Sequence, residues 1–263
     1  MNSPCRRCPP SSAATTCSRP SSTTPPSAPP DAVLDAVGSV LERTGPYTDG
    51  LDLCCGTGAG LDVLRRVCRT SVTGVDFSAG MLDVARRRPG RATEAAATGT
   101  GDSGAGDSGA GDSGAGDSGA GDSGPRVSWV RGDARALPFT AAFDLVVSLG
   151  ALGHFVPAEL PLLFGRVSAV LRPGGVFALP VFAPPPPCSR AFWTLLGFDA
   201  VMRVRNAVWR PPFVMYYRAF RFGDVLRGLE RAGLRPELHA LPGFGRRADG
   251  SPRARLIAAR RLP

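Results

Sequence analysis

Apolar positions along this chain change period several times, and each change marks an element. Val33, Leu34, Val37, Val40 and Leu41 recur at helical spacing, which predicts one helix from Asp31 to Thr44. Leu51 opens a short apolar run that carries a single acid, Asp52, and ends in a glycine-rich turn. Leu61, Leu64, Val67 and Cys68 then return to helical spacing. Ser71 to Val75 reads as a buried strand ending at Asp76, and Phe77, Ser78, Met81 and Leu82 open the next helix, with Ser78 as its N-cap. Further strands are expected at Val127 to Val130, Phe143 to Ser148 and Val176 to Phe182. Between the last two, Leu160, Leu163, Phe164, Val167, Val170 and Leu171 mark one side of a helix stopped by Arg172-Pro173-Gly174-Gly175.

Strands alternating with helices in this way predict an open, mostly parallel sheet with helices on both faces. A helix through Val225, Leu226, Leu229 and Ala232 ends at Gly233. The stretches Leu234 to Leu241 and Arg255 to Ala259 supply final antiparallel strands. One interruption carries different chemistry. Ala183 to Arg221 concentrates aromatic residues, from Phe192 and Trp193 through Trp209, Phe213, Tyr216, Tyr217 and Phe220. Pro184 to Pro187 stiffens its entry. We expect residues 183–221 to cap the substrate, although any one aromatic is better explained as packing the cap onto the sheet.

The turn after the first strand narrows the ligand class. It reads Leu51-Asp52-Leu53-Cys54-Cys55-Gly56-Thr57-Gly58-Ala59-Gly60. Glycine at 56 and 58 lets the turn tighten and its N–H groups approach a ligand. A dinucleotide fingerprint would place a further glycine where Leu61 stands. An acid ahead of Gly56-x-Gly58 instead resembles the first motif of class I S-adenosylmethionine-dependent methyltransferases, with Cys54 at one glycine position. Val75-Asp76-Phe77-Ser78-Ala79-Gly80-Met81-Leu82 is similar to that family's second motif. Gly132-Asp133-Ala134, followed by Leu137-Pro138-Phe139, resembles the third. Ser148 to His154 stands at the fourth, without the Asn-Pro-Pro-Tyr type of many amino-methylating nucleic-acid enzymes. The resemblance covers Leu51 to Phe182.

It implies a Rossmann-like, doubly wound α/β fold of seven strands with an antiparallel final strand and a helical cap. It implies S-adenosylmethionine as cofactor. Asp52 would orient the methionine end through water, beside Cys54, Gly56 and Gly58. Asp76 would take the ribose hydroxyls, with Phe77 and Met81 next to it, while Asp133 and Ala134 would read adenine. Ser148 would complete the cofactor-binding set at the reaction side. His154 is the candidate general base, because a neutral imidazole there could take a hydroxyl proton. His239, in a late strand, is expected to be structural, as is Asp144 at the start of its strand. The implied reaction is methyl transfer to a small-molecule acceptor of hydrophobic or anionic character. A binding module without catalysis, and a nicotinamide-dependent reductase on the same fold, stand as alternatives.

Composition refines this only at the margins. The 263 residues suffice for one substantial core. The net charge of +9 comes entirely from arginine, with no lysine, one isoleucine (Ile257) and two asparagines (Asn2 and Asn206), a pattern of GC-rich coding. No nucleic-acid recognition motif accompanies the charge, so such a partner is not expected. Cys5-x-x-Cys8 lacks a second ligand pair, so no metal site is expected, and the cysteines form no disulfide framework. No apolar stretch is long enough to span a bilayer. Residues 1–30 contain no acid and are rich in Ser, Thr, Pro and Arg, the profile shared by a disordered tail, a transit peptide or a start placed too far upstream. A cytoplasmic location is the expectation. The Gly-Asp-Ser-Gly-Ala repeat within residues 99–124 should be a flexible insert in a methyltransferase domain spanning 31–263.

Overall fold

The computed structural model describes residues 31–88, 124–183, 189–209 and 220–263. The tail at 1–30, most of the repeat insert, Pro184 to Pro187, and Phe213, Tyr216 and Tyr217 of the expected cap lie outside the described residues.

In chain order the elements are α1 (Asp31–Thr44), β1 (Tyr47–Leu53), α2 (Ala59–Val67), β2 (Cys68–Asp76), α3 (Ala79–Arg87), β3 (Arg126–Arg131) and β4 (Phe143–Val147). Two single-turn 3-10 helices, Leu152–His154 and Pro157–Glu159, precede α4 (Leu160–Val170). Then come β5 (Leu171–Phe182), α5 (Arg190–Trp209), α6 (Phe222–Arg231), β6 (Leu234–Ala240) and β7 (Ala254–Arg261). The sheet has seven strands in the order β3-β2-β1-β4-β5-β7-β6. Pairing is parallel from β3 through β5, and β7 runs antiparallel to both of its neighbours. Strand order therefore reverses between β1 and β4, and a crevice opens beyond their carboxyl ends.

Alternation along each strand sorts side chains between two cores. Leu145 and Val147 of β4, with Val176 and Ala178 of β5, face the helices α1, α2 and α3. Val146, Phe177 and Leu179 face α4 and α6, where Phe164 and Phe177 are fully buried with ring centroids 6.4 Å apart. Burying each such side chain contributes about 1.5–3 kcal/mol. On β1, Leu51 and Leu53 belong to the second core, which turns Asp52 towards α2. One residue of register thus decides that a carboxylate, not an aliphatic chain, enters the α2 side.

Two boundaries differ from the sequence reading. Cys68 is not the last residue of the preceding helix but the first of β2, where its buried sulfur fills the space beside Gly50. The strand after α4 begins at Leu171, ahead of the Pro-Gly-Gly turn, because Leu171 pairs with Phe143 before the register shifts. Asp144 is structural, as expected: its carboxylate accepts from the N–H groups of Thr48 and Asp49 at 2.7 and 2.8 Å. The helix α5 departs more. Its apolar residues run round the whole circumference, and Trp193, Leu196, Val201 and Val204 are exposed instead of packed onto the sheet. Phe220, by contrast, packs against the second core.

Candidate active site

The crevice holds a cavity of about 410 Å³, within the size range of small-ligand sites. Its walls come from the ends of β1, β2 and β3, the start of α3, and the loop after β4.

Asp76 is the best organised group in it. One carboxylate oxygen accepts from Gly56 N–H at 2.8 Å and the other from Ser78 N–H at 2.8 Å. Gly132 N–H bonds the Asp76 carbonyl at 3.0 Å, closing β3 onto the same corner. With one backbone donor on each oxygen, the carboxylate is fixed while lone pairs remain for two further donors. Ser78 caps α3 by accepting from Met81 N–H at 3.3 Å, which sets where Phe77 and Met81 meet the cavity. Phe77 is 52 % exposed, a flat apolar surface offered to a ligand.

Asp52 is the opposite case. It is 1 % exposed, and its Oδ2 has no protein partner among the described residues. Burial, and then the nearby carboxylates of Asp76 and Asp62, push its pKa well above the ordinary carboxylate range. Gly60 makes room for it. A Cβ at Gly60 would lie 2.4 Å from Asp52 Oδ2, so α2 can approach β1 only with glycine there. The sequence reading passed over Gly60, whose role depends on a contact between elements.

The glycine turn itself works differently from the expectation. Gly56 lines the cavity and needs its left-handed φ of 54°, but its N–H is committed to Asp76. Gly58 does not line the cavity. Its N–H bonds the Cys55 carbonyl at 2.9 Å, and a Cβ there would press on Trp129 and Ala85 at 3.1 and 3.2 Å. The two glycines therefore hold Asp76 and seat the turn, instead of pointing donors at a ligand. Cys54 lines the cavity with a positive φ of 57°, unusual for a residue with a side chain. Burial, reinforced by Asp76, Asp52 and Asp133, pushes its thiol up to about 12. It stays protonated and behaves as a small apolar group.

Asp133, Ala134 and Ser148 lie outside the cavity lining. The Asp133 carboxylate is gripped by Arg135, whose Nη2 lies 2.7 Å away, and this holds its pKa below the usual range. Ala134 and Ser148 are buried. His154 does line the cavity, at the end of its 3-10 turn beside Leu149, Gly150 and Ala151. His239 sits on β6 opposite Leu256, outside the lining. Arg131 is a lining residue that the pattern of the chain did not reveal. It ends β3, opposite Asp76 in the sheet register, and its Nε donates to the Phe77 carbonyl at 3.3 Å. Among the described residues no group of three or more His, Cys, Asp or Glu is gathered to hold a metal, and no helix is long and apolar enough to cross a membrane.

A parallel sheet ending in an antiparallel seventh strand, with acids at the carboxyl ends of β1 and β2, defines a Rossmann-like methyltransferase fold. A methyltransferase-domain family model matches residues 51–103 and 114–175, a little under half of the chain. Over that stretch the chain is similar to class I S-adenosylmethionine-dependent methyltransferases. It is 30% identical over 137 residues to 2-phytyl-1,4-naphthoquinone methyltransferase of Thermosynechococcus vestitus, covering 51% of this chain and 46% of that protein. It is 45% identical over 56 residues to an uncharacterized methyltransferase of Synechocystis, covering 21% of this chain and 26% of that one. The chain thus spans half or less of the length of these relatives.

Solved structures share the fold at lower identity. The 1,6-didemethyltoxoflavin-N1-methyltransferase of Burkholderia thailandensis, crystallised with 1,6-didemethyltoxoflavin and S-adenosylhomocysteine, superposes with a TM-score of 0.50 at 20% identity, covering 88% of this chain and 79% of that one. The magnesium protoporphyrin IX methyltransferase of Synechocystis, also with bound S-adenosylhomocysteine, gives 0.52 at 18% identity, with 88% and 84% covered.

Proposed function

We propose that the chain transfers a methyl group from S-adenosylmethionine to a small-molecule acceptor. The observation that carries this reading is the pair of acids on one cavity: Asp76, held by two backbone N–H groups, and Asp52, buried with an oxygen lacking a protein partner. A fixed carboxylate at the end of β2 suits vicinal ribose hydroxyls. An orphaned buried carboxylate suits the cationic methionine end, reached through water, and the raised pKa is what such a group shows without that cation. Phe77 and Met81 would lie against the nucleoside, beside Cys54 and Gly56. Asp133 and the N–H of Ala134 would read adenine, and Ser148 would support the wall from below. Arg131 adds a guanidinium to the nucleoside rim.

When bound, the cofactor supplies an electrophilic methyl group, so no protein nucleophile is required. What the protein does is hold the acceptor in line and exclude water. The loop Leu149 to His154 faces that step. Its lining is apolar apart from His154, which favours a hydrophobic acceptor, with Arg131 available to an anionic one. His154 would accept the proton of an acceptor hydroxyl. His154→Gln should then lower turnover at least about a hundredfold while S-adenosylhomocysteine still binds. Near-normal turnover removes the base from the reading.

The compounds in the relatives' names, a phytyl naphthoquinone and 1,6-didemethyltoxoflavin, guide the first acceptors to test. A screen with methyl-labelled cofactor over quinols, phenols and heterocyclic amines tests the reaction. Label transfer to any of them supports an enzyme. Cofactor binding with no transfer across the screen favours the second reading, a binding module, which the matches of half or less of its curated relatives keep open.

A further inference from the structure

Asp133 and the loop carrying His154 come from different crossovers of the fold, yet one guanidinium joins them. Arg135 binds Asp133 with three groups: its own N–H to Oδ1 at 2.8 Å, Nε across both oxygens at 3.0 and 3.1 Å, and Nη2 to Oδ2 at 2.7 Å. Its remaining arm, Nη1, reaches Glu159 Oε1 at 2.6 Å. The other Glu159 oxygen accepts from Val156 N–H at 2.9 Å, and Glu159 N–H bonds back to the Val156 carbonyl at 2.9 Å. Val156 lies two residues past His154, in the segment whose residues 149–151 and 154 line the cavity. The chain of bonds is unbroken from the loop after β3 to the loop after β4.

We propose that Arg135 is a positioning residue that couples the adenine seat to the acceptor-side loop. This rests on the reading of Asp133 given above. A carboxylate accepts about four hydrogen bonds, and the three Arg135 donors make four contacts to Asp133 because Nε is shared between both oxygens. An amino group can take one of the shared Nε places while the backbone N–H and Nη2 keep hold of the carboxylate. A ligand amino group there fixes Asp133, Asp133 fixes the Arg135 fork, and the fork fixes Glu159 and the turn that Glu159 caps. The planar guanidinium is what allows both carboxylates to be held at once; a lysine ammonium has no second, rigidly placed arm. A bound nucleoside thereby adds to the order of the loop bearing His154. All three side chains are partly exposed, so the coupling lies in geometry more than in electrostatic strength.

Glu159→Gln isolates this link. Glutamine keeps an oxygen for Val156 N–H and removes the charge that holds Arg135. Amide hydrogen exchange of residues 149–156 is measured on the full chain with and without S-adenosylhomocysteine, whose affinity is measured separately. In the wild type the ligand should slow exchange of this segment at least about fivefold. In Glu159→Gln the affinity should stay within about threefold while the slowing falls below about twofold. In Arg135→Gln both affinity and slowing should drop. An unchanged loop response in Glu159→Gln, or no slowing in a wild type that binds the ligand, overturns the coupling. Failure of the wild type to bind the ligand instead overturns the cofactor reading. In that event the unliganded proteins still decide the link: faster exchange of 149–156 in Glu159→Gln supports it, and equal exchange refutes it.

Discussion

At the carboxyl ends of β1 and β2, polar groups sit at fixed places because backbone and neighbouring side chains leave them no choice. Asp76 is held by two N–H groups, and Asp52 is enclosed where Gly60 admits it. Along α5, by contrast, Trp193 is 58 % exposed and Val208 71 % exposed, and no polar stripe opposes an apolar one. In the first region a single methyl group is too much; in the second a whole indole is scarcely confined. The sheet thus fixes the side chains of the cavity wall, whereas it leaves the described side chains of α5 unconstrained.

The largest effect should come from the tightest place. Gly60→Ala puts a Cβ within 2.4 Å of a buried carboxylate that cannot retreat. It should lower stability by about 1–3 kcal/mol and abolish detectable S-adenosylhomocysteine binding, as checked by denaturant unfolding and calorimetry. Asp76→Ala comes next. It leaves the N–H groups of Gly56 and Ser78 without their acceptor, costing about 1–3 kcal/mol, and should weaken the ligand at least about a hundredfold.

Asp52 sharpens the contrast between function and stability. Its folded pKa is raised, so the folded state holds a proton that the unfolded state has released. Stability is therefore lost as pH climbs above the unfolded carboxylate value, about 3.9, towards the folded one. Asp52→Asn removes that loss. Its melting temperature should exceed that of the wild type at pH 7.5 by more than at pH 4, while ligand affinity falls. Parallel melting curves at the two pH values would contradict this.

Cys54→Gly tests the strained turn on a smaller scale. Relief of the left-handed conformation should stabilise the protein by about 1 kcal/mol, since a side chain costs about that much there. The melting temperature should rise by about 2–4 °C. The smallest effect is expected on α5, where Trp193→Ser should change stability by less than about 0.5 kcal/mol. A large loss there would mean that α5 is packed as firmly as the cavity wall, and the contrast would vanish.

Much of the first region could be read along the chain because its signals are local. An acid at a strand end and a serine one turn ahead of a helix are properties of neighbouring residues. Asp52, Asp76 and Ser78 follow from them. What could not be read depends on contacts between distant segments. Gly60 matters because β1 turns Asp52 towards α2; Gly58 matters because Trp129 of β3 lies over it. Arg131 reaches the rim only once β3 is paired with β2, and Arg135 meets Glu159 only once two crossovers lie side by side. The exposure of α5 was hidden for the reverse reason: its composition reads as buried, but no residue spacing says what would bury it.

In the reading proposed above, the β1–β4 crevice is a nucleoside site gripped by Asp76. Calorimetric titration of the full chain with S-adenosylhomocysteine, beside Asp76→Ala and with NADH as the competing chemistry, decides it. Micromolar binding to the wild type, loss of at least about a hundredfold in the variant, and no heat with NADH are the predicted results. Equal affinity in wild type and variant, or binding of NADH alone, would contradict it.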